Sequence, residues 1–461
     1  MNYSSTRGKD KDLNFVDVML NGLAKDGGLY VPDIIPKFNL KDLEKIRNLR
    51  YCDLAYNLTM PFIVNKEISE EEYKCICEKT YSSSFGKELI SINKLNEKEY
   101  ILNLFHGPTF AFKDYALQLL GNLYDFILKK KKQQLTIVGA TSGDTGSAAI
   151  YGCSKSKNVN MFILFPKGKV SEIQRKQMTT YNKRNVTNIA VKGNFDDCQK
   201  LVKDLFKLNV KKDKYNLAAI NSINWVRILG QIVYYFWSYF QVEHEMKPVN
   251  FVVPTGNFGN AYAGFISKLM GLPINKIVIS SNRNDILTRF FSSGLMEKAD
   301  VFKSLSPSMD IQVSSNFERL LFHFLKDPNK ISKFFNDLDK NGVFSINKKK
   351  LKEILENFKA GKLNDNQTKK SIKLMFDENE VVIDPHTAVG FSVGRKVLNK
   401  NEKRVYLATA HHGKFIETVK DSINKDIEYP KKLFQIIDRK ETYETINNNL
   451  HELESLIDSK S

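Results

Sequence analysis

Alternating apolar runs and helical patterns restrict the fold of this chain more than any other feature. Between residues 133 and 193 the pattern predicts the strand QQLTIVGA, the turn and helix start TSGDTGSAAIYG, the strand NMFILFP, the helix SEIQRKQMTTY and the strand VTNIAVKG. The same order resumes with the helix SINWVRILGQIVYYFWSYF, the strand VNFVVPTG, the helix NAYAGFISKLMG and the strand INKIVISSN. Strands that alternate with helices form parallel sheets. We therefore predict an α/β fold with parallel sheets flanked by helices.

The length of 461 residues exceeds what one hydrophobic core usually supports, so we expect two lobes that meet at a cleft. Residues 1–85 are predicted to form a helical domain, because DLEKIRNL and SEEEYKCICEKTY have helical periodicity and PDIIPKF is a Pro-containing break. Residues 86–428 then form the two-lobed main domain, interrupted at about 326–374 by a Lys- and Asn-rich helical insertion. Residues 429–461 are predicted to be a charged, amphipathic helical tail.

The composition is that of a globular protein with a strong positive charge. The net charge of +18 agrees with nucleic-acid binding or with a lysine-rich composition spread over the surface. We favour the second interpretation, because the lysines are scattered and do not form one basic helix or patch. The sequence contains neither an apolar stretch of about 20 residues nor a signal core, which predicts a soluble, cytoplasmic protein without a membrane partner.

The cysteines give no sign of a metal site or a disulfide framework. There are five, an odd number, and they lack paired C-x-x-C spacing. We expect reduced, structurally passive thiols and no metal.

One lysine, Lys113, lies in the segment FHGPTFAFKDYALQ, which is otherwise mostly apolar or small and precedes a predicted helix. Removal from water destabilises an ammonium group, so a buried lysine is a better amine nucleophile, as a Schiff-base lysine requires. A lysine at the start of a helix is also common as a solvated surface residue. The neighbouring segments decide between these interpretations.

Two Gly-rich turns follow this lysine, GATSGDTGSAA at 139–149 and VPTGNFGNAYAG at 253–264. Each predicts a strand-to-helix turn, where free backbone N–H groups and the helix dipole bind an anion. Neither has the spacing of a nucleotide P-loop or of a dinucleotide-binding turn, which disfavours an ATPase or a dinucleotide enzyme. Two anion sites beside a candidate Schiff-base lysine suggest a phosphorylated aldehyde cofactor and an anionic substrate.

Several segments occur together in an order that is typical of one enzyme family. They are STRG and DGGLYVP near the start, LFHGPTFAFKDYALQ, GATSGDTGSAA, SINWVRILGQIVYYF, VVPTGNFGNAYAG, SPSMDIQVSSNFERLLF and IDPHTAVG. Together they resemble threonine synthase, in particular its longer bacterial and fungal subgroup, from about Tyr3 to Lys420. The resemblance implies the tryptophan-synthase β-like fold, fold type II of pyridoxal-phosphate enzymes.

The resemblance implies that three parts of the chain hold pyridoxal 5'-phosphate. Lys113 matches the Schiff-base lysine. Thr409, in LATAHH, resembles the hydroxyl residue that meets the pyridine nitrogen, where a neutral partner would leave that nitrogen largely unprotonated. The cradle of the cofactor phosphate, which would offer mostly backbone N–H groups, resembles the turn formed by Gly256, Asn257, Phe258, Gly259 and Asn260.

The SGDTG turn lies where this fold type binds the substrate carboxylate, and we assign Ser142, Gly143 and Thr145 to that group together with the backbone amides. Asp144, in the same turn, would repel the carboxylate unless it points away, for example to cap the following helix, so its role stays open. For the phosphate of the substrate, the candidates are Arg175 and, less specifically, Lys167. Arginine suits bidentate phosphate binding, but a charged helix face predicts the same residues.

Three further positions are noted. His106 and His386 are candidate proton carriers, although a histidine beside a Gly or Pro turn is also expected as a hydrogen-bonded structural residue. The family commonly has a proline after the first histidine of the last motif, where this chain has His412 and then Gly413. We expect that change to loosen the loop just beyond Thr409.

The resemblance implies the conversion of O-phospho-L-homoserine and water into L-threonine and phosphate, by γ-elimination and β-addition, with Lys113 moving the Cα proton. Three alternatives stay open: a serine or threonine dehydratase of the same fold, an inactive cofactor-binding homologue, and a basic nucleic-acid-binding protein. Neither a nucleic acid nor a membrane is expected as a partner, and a monomer or homodimer is expected.

Overall fold

The computed structural model describes residues 1–86, 88–141, 143–212, 214–220 and 222–460. Its strands and helices follow one another along the chain, with two short 3₁₀ helices at Pro307–Met309 and His412–Phe415. In chain order they are β1 Tyr3–Ser5, α1 Phe15–Asn21, β2 Tyr30–Pro32, α2 Leu40–Ile46, α3 Tyr51–Ile63, α4 Glu70–Ser83, β3 Ser91–Lys94, β4 Glu99–Asn103, α5 Lys113–Lys131, β5 Leu135–Ala140, α6 Asp144–Cys153, β6 Val159–Pro166, α7 Glu172–Thr179, β7 Val186–Lys192, α8 Phe195–Lys212, β8 Leu217–Ala219, α9 Trp225–Val242, β9 Val249–Pro254, α10 Gly259–Leu269, β10 Ile274–Ser281, α11 Ile286–Ser293, β11 Leu295–Glu297, α12 Phe317–Leu325, α13 Pro328–Asn341, β12 Val343–Ser345, α14 Lys348–Leu355, β13 Phe358–Lys362, α15 Asp365–Asn379, α16 Pro385–Val397, β14 Arg404–Ala408, α17 Ile416–Ile423, α18 Lys431–Ile437, β15 Glu444–Asn447 and α19 Leu450–Lys460.

The N-terminal region is mainly helical, and the helices α1, α2 and α4 begin at side chains that cap them. α4 starts at a capping box, in which the Ser69 hydroxyl accepts from the Glu72 N–H at 3.2 Å and the Glu72 carboxylate accepts from the Ser69 N–H at 2.8 Å. This region is tied to the rest of the chain by the buried Arg319, whose Nε donates to the Tyr30 carbonyl at 2.9 Å. The division into domains at residues 85 and 428 stays a prediction.

The first sheet has the strand order β15-β7-β6-β5-β8, and all neighbouring strands in it are parallel. Its central strand β6 is a nearly unbroken apolar run, as expected for a parallel strand covered by helices on both faces. The edge strand β15 lies within residues 429–461, for which the sequence predicts a helical tail. Its register against β7 pairs Ile446 with Val191, and both side chains are buried.

The second sheet has the order β13-β10-β9-β14-β4-β3, parallel except for the antiparallel pair β3 and β4. The edge strand β13 lies within the segment 326–374, which we had predicted to be a helical insertion. Phe358 in β13 is buried beside Ile277 of β10, and this long-range pairing outweighs the helical composition of the surrounding residues. The predicted α/β class with parallel sheets is confirmed.

The site is positioned by the loops that follow the carboxyl ends of β4, β5, β9 and β14. In open α/β sheets these ends carry the ligand-binding loops. The helices behind them pack closely because glycine allows it: a Cβ at Gly121 of α5 would lie 2.0 Å from the Gly152 carbonyl oxygen of α6. Among the helices of the described residues, none has the length and apolar character needed to cross a membrane.

Candidate active site

One pocket brings together most of the residues that the sequence singled out. Its walls come from the starts of α5, α6 and α16, helix α9, the turn after β9, the 3₁₀ helix at 307–309 and the residue after β14. The residues that line it include Lys113, Thr145, Arg227, Gly256, Asn257, Phe258, Gly259, Asn260, Ser308, His386 and Thr409.

Lys113 is the first residue of α5, and its side chain is only 11% exposed. Its Nζ lies 3.4 Å from Asp144 Oδ2 and 5.2 Å from the centre of the Phe112 ring. Burial lowers the pKa of Lys113; Asp144 opposes that shift, whereas the cations Lys414 and Arg227 add to it. The result is an amine that gives up its proton more readily than an exposed lysine, as a nucleophile for an aldehyde requires.

Asp144, whose role the sequence left open, points into the site and does not cap α6. Its carboxylate meets Lys414 Nζ at 2.5 Å, Gln174 Nε2 at 2.9 Å and Ser308 Oγ at 3.2 Å, besides the contact with Lys113. Burial alone would raise the pKa of Asp144, but Lys414 and then Lys113 hold it well below its usual range. The carboxylate is therefore ionised, and its charge is neutralised by lysines within the protein.

The turn from Gly256 to Asn260 is shaped to present backbone N–H groups. Phe258 has a left-handed backbone (φ 62°), which is uncommon for an aromatic residue, and its buried ring packs against Phe317 with centroids 5.2 Å apart. The carbonyls of Gly256 and Asn257 accept hydrogen bonds from Ser314 Oγ (2.7 Å) and the Asn316 N–H (3.1 Å). The carbonyls are thus occupied, while the N–H groups at the start of α10 stay available to an anion.

The residues of this turn fit a cofactor phosphate. A Cβ at Gly256 would lie 2.6 Å from the Ser308 carbonyl oxygen, so only glycine allows the backbone to approach so closely. The buried Asn260 Nδ2 has no hydrogen-bond acceptor within the described part of the chain. A row of free donors at a helix N-terminus, beside a buried lysine, is the arrangement that a phosphorylated aldehyde requires.

Thr409 directly follows β14 and is buried in the same pocket. Its carbonyl accepts a hydrogen bond from the Phe112 N–H at 2.9 Å, which connects the loop after β14 to the residue before Lys113. The predicted partner of the cofactor ring and the predicted cofactor lysine are therefore held next to each other.

Of the residues predicted to bind the substrate carboxylate, the structure describes Gly143 and Thr145. Ser142 lies outside the described residues. Gly143 (φ 149°) packs against Gln174, and its N–H is used within the turn, where it donates to Thr141 Oγ1 at 3.0 Å. Thr145 lines the pocket.

Arg175 and Lys167, the candidates for the substrate phosphate, do not line the pocket. Arg175 forms a bidentate ion pair with Glu441, with Nε–Oε2 and Nη2–Oε1 distances of 2.8 and 2.9 Å. Lys167 is exposed. The Arg175 guanidinium, which the sequence suggested for the substrate phosphate, thus holds the C-terminal segment against α7.

The two histidines have structural hydrogen bonds. His386 Nδ1 lies 2.7 Å from Asp384 Oδ1, and its Nε2 accepts from the Ser308 N–H at 3.2 Å, so Nδ1 carries the proton. His386 therefore fixes the Ser308 segment at the pocket wall. His106 Nε2 lies 2.7 Å from the Oγ of Ser91, which belongs to strand β3.

Sequence reasoning missed two cations at this site. Arg227 of α9 is only 4% exposed, and its Nε and Nη1 have no partner among the described residues. Burial lowers its pKa to about 10, so it is still protonated at neutral pH. The sequence contained a signal for Arg227, because it is the single charged residue in the apolar stretch INWVRILGQIVYYF. Lys414, with a side chain that is 0% exposed, stands just after His412 and gave no local signal.

The loop that contains His412 and Gly413 is well held, in contrast to the expected loosening. Gly413 packs against Pro430, where a Cβ would lie 2.4 Å from Pro430 Cδ, and its N–H donates to His411 Nδ1 at 3.0 Å. Glycine is therefore the residue that lets this turn pass Pro430.

Family models match three consecutive parts of the chain. They are described as threonine synthase N terminus (residues 2–81), pyridoxal-phosphate dependent enzyme (87–333) and threonine synthase, C-terminal (387–457).

Curated relatives and solved structures agree with these models. The chain is 42% identical to threonine synthase of Pseudomonas aeruginosa, over 99% of this chain and 98% of the relative, and 41% identical to that of Saccharomyces cerevisiae, over 92% and 89%. A crystal structure of PLP-bound threonine synthase from Brucella melitensis is similar with a TM-score of 0.95 and 40% identity, covering 100% of this chain and 99% of that one. Threonine synthase from yeast gives a TM-score of 0.93 and 38% identity, covering 100% and 98%. From the site and these similarities together, we conclude that the chain belongs to the threonine synthase family of pyridoxal-phosphate-dependent enzymes.

Proposed function

We propose that the protein converts O-phospho-L-homoserine and water into L-threonine and inorganic phosphate. The observation that supports this substrate is the buried guanidinium of Arg227, which lies in the same pocket as Lys113 and has two donors without a partner among the described residues. A buried, unpaired cation is costly, so it is expected where a bound anion compensates it. The turn at residues 256–260 serves the cofactor phosphate, which leaves Arg227 for the phosphate of the substrate.

The remaining roles follow the positions of the groups. Lys113 would hold the cofactor through its amine, and the hydroxyl of Thr409 would serve as the partner of the ring nitrogen. The backbone amides at the start of α6 and the Thr145 hydroxyl bind the substrate carboxylate, for which Asp144 is no obstacle because Lys414 neutralises it. When bound, pyridoxal phosphate supplies an aldehyde for the substrate amine and a ring that withdraws electrons from the substrate carbons.

The residues of the chain then have to move protons and exclude water. In the net reaction the Cγ–O bond of the substrate breaks, Cγ gains a proton to become the methyl group, and Cβ loses a proton and gains a hydroxyl from water. The Lys113 amine, with its lowered pKa, removes and returns the Cα proton. Arg227 stabilises the phosphate as it leaves.

Release of phosphate and formation of threonine from O-phospho-L-homoserine test the proposed activity directly. The cofactor-loaded protein should produce both in equal amounts. L-serine and L-threonine serve as comparison substrates; formation of a keto acid from them, without threonine from the phosphorylated substrate, would identify a dehydratase instead. Gel filtration with light scattering would test the predicted monomer or homodimer.

Arg227→Met, with Arg227→Lys as the matched control, tests the phosphate assignment. We expect Arg227→Met to raise KM for O-phospho-L-homoserine about 10²-fold or more, because a buried charge pair with the phosphate is lost. Binding of pyridoxal phosphate should change little. A large loss of cofactor affinity with an unchanged KM would instead place Arg227 at the cofactor phosphate.

A further inference from the structure

Lys414 is a second buried lysine beside Lys113, on an element far along the chain. It lies in the 3₁₀ helix after β14, and its Nζ contacts Asp144 Oδ1 at 2.5 Å and donates to the Thr109 carbonyl at 2.9 Å. Thr109 is itself fixed by Asp114, whose carboxylate accepts from the Thr109 N–H and hydroxyl, both at 2.8 Å. The ammonium of Lys414 therefore has a rigid position.

The carboxylate of Asp144 is shared unequally between the two lysines. It lies 2.5 Å from Lys414 Nζ but 3.4 Å from Lys113 Nζ. Gln174 and Ser308 donate to the same carboxylate, which limits its rotation toward Lys113. Electrostatic attraction and hydrogen bonding both weaken with distance, so Lys414 takes the larger part of the counter-charge.

We propose that Lys414 is a positioning residue whose ammonium group binds the Asp144 carboxylate. The Lys113 amine then lacks a full counter-ion and is free to bond the cofactor. The inference rests on the proposed role of Lys113 as the cofactor lysine. It assigns a function to a residue that neither contacts the pocket surface nor belongs to the glycine turns. It also explains why a carboxylate stands beside an amine that has to be neutral to react.

The charged groups around Lys113 agree with this arrangement. Asp144 faces it from α6, Lys414 from the loop after β14 and Arg227 from α9, while Asp114 follows it on α5 and His386 lines the pocket from α16. Asp144 raises the pKa of Lys113, and Lys414 and Arg227 lower it, in addition to the larger effect of burial. Removal of Lys414 would take away a repelling cation and release Asp144 to Lys113, and both changes favour the protonated amine.

The test measures how the attachment of pyridoxal phosphate to Lys113 depends on pH. Full-length protein freed of cofactor is mixed with pyridoxal phosphate, the product is reduced with borohydride, and the peptide that contains Lys113 is quantified by mass spectrometry. The variants are Lys414→Met, Asp144→Asn and the double variant. The midpoint is the pH at which attachment to Lys113 is half-maximal. Titration of the cofactor itself is the same in all samples, so differences between these midpoints come from the protein.

The two single variants should shift the midpoint in opposite directions. Lys414→Met should raise it by about one pH unit and slow attachment about tenfold below the midpoint. Asp144→Asn should lower it by about the same amount, and the double variant should lie between the two single variants. If Lys414→Met does not fold, Lys414→Gln gives the same comparison with a polar side chain.

The outcomes separate this inference from the assignment of Lys113. Label on another lysine in the wild-type protein would overturn the assignment of Lys113. Label on Lys113 with the same midpoint in the wild type and in folded Lys414→Met, or with a lower one in the variant, would overturn the inference about Lys414. A purely structural role of Lys414 would lower thermal stability but leave the midpoint in place.

Discussion

Replacement of Gly256 by alanine should weaken cofactor binding while the chain stays folded. The new Cβ would lie 2.6 Å from the Ser308 carbonyl oxygen and 3.0 Å from Ile311 Cδ1, against about 3.5 Å for a relaxed contact. One of the two segments therefore has to move by nearly 1 Å. Ser308 cannot yield easily, because its N–H is bound to His386 and its hydroxyl to Asp144.

The expected magnitude follows from that overlap. Overpacking by one methyl group typically costs about 1–3 kcal/mol. Without cofactor, the turn of the variant relieves the contact between the new Cβ and Ser308 by moving toward the pocket. The cofactor phosphate needs the turn in its wild-type position, so the free-energy cost of the overlap weakens cofactor binding. The Kd for pyridoxal phosphate should rise about 5- to 150-fold.

Equilibrium dialysis of the cofactor against purified variants measures this effect, with thermal unfolding as the check on folding. Gly86→Ala is the matched control, since among the described residues its Cβ would meet only Lys432 Nζ, at 3.8 Å. Gly256→Asp should abolish cofactor retention, because its carboxylate adds a negative charge to a site for one anion. A Kd within twofold of wild type for folded Gly256→Ala would show that the cradle lies elsewhere.

Three further predictions concern the lysine, the threonine and the loop histidine. Lys113→Ala should still bind pyridoxal phosphate, but borohydride should trap none of it on the chain, and phosphate release should fall by several orders of magnitude; a labelled lysine elsewhere would refute this. Thr409→Ala should retain the cofactor and lose turnover, since the backbone bond to Phe112 persists while the contact with the ring nitrogen is lost; unaltered kcat would contradict it. Burial, and then the neighbouring His412, lower the pKa of His411 to about 3. Between pH 6.5 and 3 the unfolded chain therefore binds a proton at this residue that the folded chain does not bind. The free energy of unfolding should fall as the pH falls, by about 2 kcal/mol from pH 6.5 to 5. Urea unfolding at both pH values measures this loss, and His411→Gln should reduce it; an equal loss in the variant would argue against the shifted histidine.

The local parts of the fold were predictable because their residues carry the signal themselves. The segment VTNIAVK, buried at residues 188–191, and the fully buried run VNFVVP form strands of parallel sheets whose faces are covered. The turns after β5 and β9 were found because glycine is required where a backbone approaches another group closely, as at Gly256. Those turns also led to the cofactor, which the family comparison supports.

The contacts between distant segments could not be read from the sequence. Nothing near Arg175 indicates that Glu441, 266 residues later, occupies its guanidinium. Nothing near Asp144 indicates that Lys414 neutralises it, because the two residues are far apart along the chain. The strand β13 was missed for the same reason, since its pairing with β10 is formed across the sheet and outweighs a helical composition.

The strand β15 has a consequence for the solution behaviour of shortened chains. Its four residues, Glu444–Asn447, pair with β7 and cover what would otherwise be the open edge of the first sheet. An uncovered parallel edge presents a row of unpaired N–H and C=O groups to which another molecule can add a strand. A chain that stops before residue 440 would keep Lys113 and the glycine turns intact, but it would also lose the Arg175–Glu441 pair and expose β7. Such a chain should self-associate edge to edge and precipitate at concentrations where the full-length protein stays dispersed.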